Sequence, residues 1–387
     1  MSPRKRYAKK QAKARQRRRD TAHERLRQDQ QQAQRAIEAL EHALHALGLP
    51  DNLVQEIEGR LRRLGQEVLV PLWRHVQDKS PSTLSRWQWT WVFDDSVFKK
   101  YGQQLGLVGH WWSGQEKRVR AGIDGVLLVV VIGDGQLVVP VDFAIRRPDP
   151  KGPGAPCRTK LGWVQGMLDA CLATLHQRGL RLPPPVVVAD SWFSDSKWMQ
   201  QVATRHQGTL LVEGKSTYVF ILPEGRKVTG HDLVHRPDWP WRDSPWEPRV
   251  RYARLTATSP TYGVVTVVIV DEPGQDRYYL FCRATSMSAP CLLRRWRRRN
   301  WIEFVFRTLK HLLATEACQV HSEDAYYGHF VLRLMASFVL FYTSRVIYKG
   351  RVTMEEIVFS LKHYWRFVDS QALELQGLSW GTQQSAA

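Results

Sequence analysis

The chain has 387 residues and 43% hydrophobic content, enough to bury one large core or two ordinary ones, which excludes wholesale disorder. A formal charge of +19 points to a polyanionic partner, nucleic acid ahead of an anionic membrane. Five cysteines, odd in number and with no CxxC pair, argue for a reducing compartment and against structural zinc. No apolar segment follows the basic N-terminus, so no secretory signal is expected.

Residues 1–20 open on a charge run in which Arg4, Lys5, Arg6, Lys9, Lys10, Lys13, Arg15, Arg17, Arg18 and Arg19 precede the first acid, Asp20. Such a segment cannot bury a core, and it is expected to be a disordered arm making non-specific phosphate contacts. From residue 21 to 88 the helix-favouring composition, with Leu40, Leu44 and Leu47 on one face, predicts a helical, basic DNA-binding region. The centre is β-rich. Trp89 to Phe98 predicts a strand, and Gly125 to Ile132 and Leu137 to Ile145 predict a hairpin about Gly133-Asp134-Gly135. A helix over Leu161 to Gln177, a strand over Val186 to Asp190, a helix over Ser196 to His206 and a strand over Thr209 to Glu213 follow.

Three strands, helix, strand, helix, strand is the ribonuclease H-like succession, so an α/β fold is expected: a mixed sheet flanked by helices. Residues 89–215 would form the first part of a catalytic core. Residues 216–288 would form a β-rich insertion, with strands over Arg249 to Thr258, Tyr262 to Asp271 and Asp276 to Ala284 after a Trp-rich loop at residues 238–246. Residues 289–350 would complete the core and residues 351–387 a helical tail. The apolar run Leu334 to Tyr342 is too short for a bilayer, which needs about 20 residues, and reads as a buried helix.

The acids carry the chemistry. Asp95 lies inside the first strand, with Asp94 competing for its role because strand side chains alternate; Asp190 ends the fourth strand, where open α/β sheets keep their sites. Late in the chain Arg299, Glu303 and Lys310 fall on one helical face, beside an apolar stripe of Ile302, Phe306, Leu309 and Leu313. Carboxylates converging at one edge repel unless cations are bound, so a pair of Mg²⁺ ions is the expected occupant, with Mn²⁺ as a substitute. Two ions so held serve in-line phosphoryl displacement by water or a 3'-hydroxyl. His110 beside Trp111 and Trp112 is not expected to ligate metal.

The pattern Trp296, Arg299, Glu303, Lys310 resembles the Tyr, Arg, Glu, Lys signature of bacterial insertion-sequence DDE transposases, with Trp296 in place of the tyrosine. Asp94-Asp95-Ser96 is similar to the family's first acid context, with Asp95 the favoured match, and Ala189-Asp190-Ser191-Trp192-Phe193 to its second. The resemblance runs over roughly residues 89–345. It implies catalytic, metal-holding Asp95, Asp190 and Glu303, with Arg299 and Lys310 on DNA phosphates. It further implies cut-and-paste transposition: cleavage at terminal inverted repeats of double-stranded DNA and transfer of 3'-hydroxyl ends into target DNA by a synaptic homodimer. The setting would be the bacterial cytoplasm, at the nucleoid and not at a membrane. A ribonuclease H-like nuclease without joining activity and a domesticated, non-catalytic DNA-binding protein are the alternatives.

Overall fold

The computed structural model describes residues 89–100, 105–114, 116–148, 159–177, 183–283, 286–318, 320 and 322–361. The basic arm, the expected N-terminal helices and the tail beyond residue 361 lie outside these. The chain divides into two compact units, residues 51–338 and residues 1–50 with 339–387.

The larger unit is built on one mixed sheet. β1 (Trp89–Lys99) pairs antiparallel with the long β3 (Arg118–Ile132), which turns at residues 133–136 into β4 (Leu137–Arg146). β3 is buried almost throughout because Val, Ile and Leu fill both of its faces, as a central strand covered on two sides requires. The hairpin turn needs positive φ at Gly133 and Gly135, and the Trp301 ring lies where a Cβ on Gly135 would point. A bulge between Leu128 and Val129 admits Pro140 on β4, where a missing N–H is tolerated. On the other side of β1, the parallel strands β5 (Val186–Ala189) and β6 (Thr209–Glu213) continue the sheet. Helices α1 (Lys160–Gln177) and α2 (Ser196–His206) pack against it through Val164, Leu168 and Leu175, and through Trp198 and Val202. This mixed sheet with flanking helices fits the ribonuclease H-like expectation.

β3 starts at Arg118, well before the expected Gly125, and its first half pairs with an edge strand that the sequence pattern does not announce, β2 (Gly109–Ser113). Between β6 and the late helices lie β7 (Val219–Ile221), β8 (Lys227–Thr229), the short α3 (Gly230–His235), β9 (Arg242–Asp243), β10 (Arg251–Ser259), β11 (Gly263–Asp271) and β12 (Tyr278–Arg283). This is the expected β-rich insertion. Its strands are not a separate sheet: β12 pairs antiparallel with β6, so the hydrogen bonding runs on from core to insertion.

The glutamate-bearing segment is interrupted. α4 (Ala289–Arg297), capped by the Ser288 side chain, is followed by α5 (Asn300–Arg307) and a π turn over Thr308–Leu312. The expected apolar stripe holds across the interruptions, with Ile302 and Leu309 fully buried and Phe306 and Leu313 nearly so. α6 (Glu323–Tyr342) is longer than the apolar run suggested. The stretch Ala325–Ile347 is long and apolar enough to cross a membrane, and 61% of its most apolar window is buried inside the protein. Tyr326, Phe330, Leu334 and Phe338 recur every fourth residue and are buried, the pattern of a helix packed in a core. Within the smaller unit, α6 ends in a π turn over Thr343–Ile347, and Thr353 and Glu356 form a reciprocal cap at the start of the next helical turn.

Candidate active site

Register decides which acids meet. β1 and β5 run parallel with Trp91 beside Val187 and Val92 beside Val188; carried on, that register brings Asp190 level with Asp94. β5 and β6 are parallel with Ala189 beside Val212, which sets Asp190 level with Glu213. Asp94, Asp190 and Glu213 thus form a row across three parallel strands, at the C-terminal ends of β5 and β6 and at the middle of β1. Asp95, one residue along β1, points to the opposite face.

Arg299 lies over the row. Its guanidinium is 3.2 Å from Asp94, 3.3 Å from Asp190 and 3.2 Å from Glu303 one helical turn along. Trp296, itself buried, supports it with its ring centroid 5.5 Å from the guanidinium carbon. Burial works against the charge on Arg299, but Asp94, Asp190, Glu303 and Glu213 together hold its pKa above the ordinary value. Burial lifts the Asp94 carboxyl to about 7 against the pull of Arg299, and the charges on Asp95 and Asp190 add to the rise. Glu213 is raised for the same reasons, burial first and Asp190 second.

Asp95 belongs to a different constellation. Its Oδ2 accepts a 2.6 Å hydrogen bond from Lys160 Nζ at the start of α1. Behind it Asp124, fully buried on β3, has Lys160 and Arg146 each 3.5 Å from Oδ2. Burial, reinforced by the charge on Asp95, pushes Asp124 up to about 6.

Both aspartates nevertheless reach the same space. A cavity of about 610 Å³ is lined by Asp94, Asp95, Asp190, Arg299, Glu303 and Lys310, with Arg307, His311 and Trp112 at its sides. Lys310 holds its ammonium 5.4 Å from the Phe98 ring centroid, and burial lowers its pKa. The structure therefore brings Asp94, Asp190, Glu303, Arg299, Lys310 and Trp296 together, and places Asp95 at the margin with its own cation. Glu213 and Asp124 escaped sequence reasoning. Glu213 ends an apolar strand just as Asp190 does, a signal that was legible; Asp124 sits one residue before the point at which β3 was expected to start.

All the acids offer hard oxygen donors, which suits a divalent cation such as Mg²⁺ rather than a soft metal. A buried row of carboxylates, one with its pKa raised to about 7, is an environment that an added cation would relieve. As placed, however, no three His, Cys, Asp or Glu side chains among the described residues are gathered closely enough to hold an ion. The Arg299 guanidinium supplies the positive charge between them.

A mixed sheet carrying acids on adjacent parallel strands, faced by a Glu/Arg helix, is an α/β architecture whose oxygen donors converge on one cavity. The family model described as "DDE superfamily endonuclease" matches residues 68–245, a span that takes in Asp94, Asp95, Asp190 and Glu213 and ends before Glu303. No curated protein matches the chain. Among solved structures, the chain is similar to one described as "Cryo-EM structure of piggyBac transposase synaptic complex with hairpin DNA (SNHP)", at 9% identity and a TM-score of 0.43 over 85% of this chain. It spans 60% of that protein's length.

Proposed function

We propose that the protein is a DNA transposase of the DDE type, cleaving double-stranded DNA at transposon inverted repeats and transferring the freed 3'-hydroxyl ends into target DNA, in the bacterial cytoplasm. The observation that supports this most is the Arg299 bridge, which joins acids from two adjacent parallel strands to Glu303 at the edge of a domain matched by the endonuclease model.

Asp190 and Glu303 are two of the ion-holding acids. For the third, the sequence match favoured Asp95, whereas the register and Arg299 favour Asp94, and we take Asp94 for the ion and Asp95 as the partner of Lys160. A divalent ion there, Mg²⁺ by its preference for oxygen, would supply Lewis acidity to the attacking and leaving oxygens. Arg299 holds the acid row together by neutralising it in the ion-free state. Lys310, with Arg307 and His311 along the same wall, presents positive charge to the phosphates of a strand laid in the cavity. The basic arm adds sequence-independent affinity that falls steeply with salt. A homodimer pairing two transposon ends accounts for coupled cleavage and joining.

The test is incubation of the protein with labelled duplex carrying the DNA that flanks its gene, with Mg²⁺ or EDTA, scoring nicked ends and joined products. Metal-dependent nicking with joining supports the transposase; nicking without joining would assign a nuclease instead, and binding without either product a DNA-binding protein.

A further inference from the structure

The turn that follows Asp190 bears directly on that acid. Asp190 Oδ1 accepts the Ser191 backbone N–H while Oδ2 faces Arg299, so residues 191–194 set which carboxylate oxygen is turned to the guanidinium. The turn closes on itself through two hydrogen bonds. Phe193 N–H donates to the Asp190 carbonyl at 2.9 Å, and the Ser194 hydroxyl to the Ser191 carbonyl at 2.5 Å. Of its side chains only that of Phe193 is buried, so packing alone holds the segment weakly.

Further support comes from the insertion. Tyr218, just before β7, and Tyr262, in the turn joining β10 to β11, both reach Ser194. The Ser194 hydroxyl has one proton and gives it to the Ser191 carbonyl, so in its contact with the Tyr218 hydroxyl the phenol is the donor. The Tyr262 hydroxyl donates to the Ser194 carbonyl at 3.1 Å. Two phenols from separate parts of the insertion therefore converge on one serine. Their rings lie 5.5 Å apart, and each meets Phe281 of β12, Tyr218 at 5.9 Å and Tyr262 at 4.9 Å. Burial holds the Tyr262 phenol above its ordinary pKa, which keeps it a donor.

We infer that Tyr218 and Tyr262 are positioning residues: through Ser194 they fix the Asp190 turn, and with it the orientation of the Asp190 carboxylate. The inference rests on the DDE reading above, in which Asp190 holds an ion. An insertion that served only as architecture would need no polar grip here, because the β6–β12 pairing already joins it to the core. Ion-holding carboxylates keep their orientation through outer hydrogen bonds of this kind, and losing such a partner weakens ion binding by about 10-fold or more.

The experiment compares full-length wild type with the double variant Tyr218→Phe/Tyr262→Phe and with Ser194→Ala, changes that remove hydroxyls and leave the rings in place. Hydrogen exchange read by mass spectrometry, without DNA or metal, is expected to quicken at least about five-fold across residues 190–195 in both variants, with β5 and β10 unchanged. DNA cleavage is then titrated with Mg²⁺. The concentration giving half the maximal rate is expected to rise about 10-fold in both variants, while the rate at saturating Mg²⁺ and DNA binding in EDTA stay near wild type. Ser194→Thr, which keeps the hydroxyl, should behave as wild type. Unchanged exchange would overturn the grip on the turn. Faster exchange with an unchanged Mg²⁺ requirement would make the phenols structural only and remove the positioning role. If wild type cleaves no DNA at any Mg²⁺ concentration, the DDE reading itself falls, whatever the exchange shows.

Discussion

The start and the middle of β1 handle charge in opposite ways. At its start, the arginines of α4 and the residue after it each have defined partners. Arg295 donates to the Trp89 carbonyl and the Thr90 hydroxyl, Arg298 to Thr90 and Asp134, Arg294 to both oxygens of Asp134, and Arg297 to Glu247 and Glu272. Arg298 is 3% exposed and Arg295 7%, so this part of the basic run fastens helix to sheet rather than facing DNA. At the middle of the strand the balance reverses, and Arg299 alone serves Asp94, Asp190 and Glu303. At the start of β1 four guanidiniums meet three carboxylates, Asp134, Glu247 and Glu272, whereas around Arg299 the carboxylates outnumber the guanidinium. The run Arg297-Arg298-Arg299 passes from one condition to the other within three residues.

The contrast can be broken experimentally, most severely at the acid edge. Asp190→Asn and Glu303→Gln are each expected to lower DNA cleavage by at least about 10²-fold while DNA binding persists, measured by gel assay and filter binding side by side. Asp94→Asn should match them. Asp95→Asn should cost less, and equal losses at both aspartates would erase the distinction between the two faces of β1.

Next in size is the structural end. Arg298→Ala is expected to reduce stability by about 2 kcal/mol in urea unfolding, through loss of buried charged hydrogen bonds, without selectively impairing cleavage by the folded fraction. A variant as stable as wild type but defective in DNA binding would move Arg298 to the functional side of the comparison.

The pH dependence gives a finer probe. In the folded chain Asp94 titrates at about 7, against an ordinary value of 3.8. Folding therefore takes up a proton between those values: Asp94 costs no stability below about pH 4, and the cost grows as pH rises to about 7 and then levels. Asp94→Asn is accordingly expected to raise the melting temperature more at pH 8 than at pH 5 in metal-free buffer. A gain that is the same at both would show that Asp94 ionises normally. The smallest expected effect is that of Lys160→Met, which removes the hydrogen bond to Asp95; it should alter cleavage severalfold, and none of the binding to blunt duplex.

Much of this was legible in the sequence because the signals were local. Apolar and β-branched runs marked β1, β4, β5 and β6; Gly133-Asp134-Gly135 marked the hairpin; the spacing of Ile302, Phe306, Leu309 and Leu313 marked the buried face of the Glu segment. What stayed hidden depends on pairing between distant strands. That Asp94, rather than Asp95, stands level with Asp190 is set by the β1–β5 register, and the approach of Glu213 by the β5–β6 register, neither of which leaves a trace in one-dimensional spacing. The break between α4 and α5 was also unreadable, because the residues about it are ordinary helix formers and the constraint is the seating of Arg295 and Arg298 against β1. β2 was hidden because its five residues, with Gly109, His110 and Ser113 about an exposed Trp112, carry a weak apolar pattern.

The central claim is that the acids around Arg299 are the catalytic group. It is tested most directly by presenting wild type and Glu303→Gln with the same labelled duplex in Mg²⁺. The account predicts cleavage by wild type, none by the variant, and equal DNA binding by both; cleavage by Glu303→Gln at the wild-type rate would contradict it.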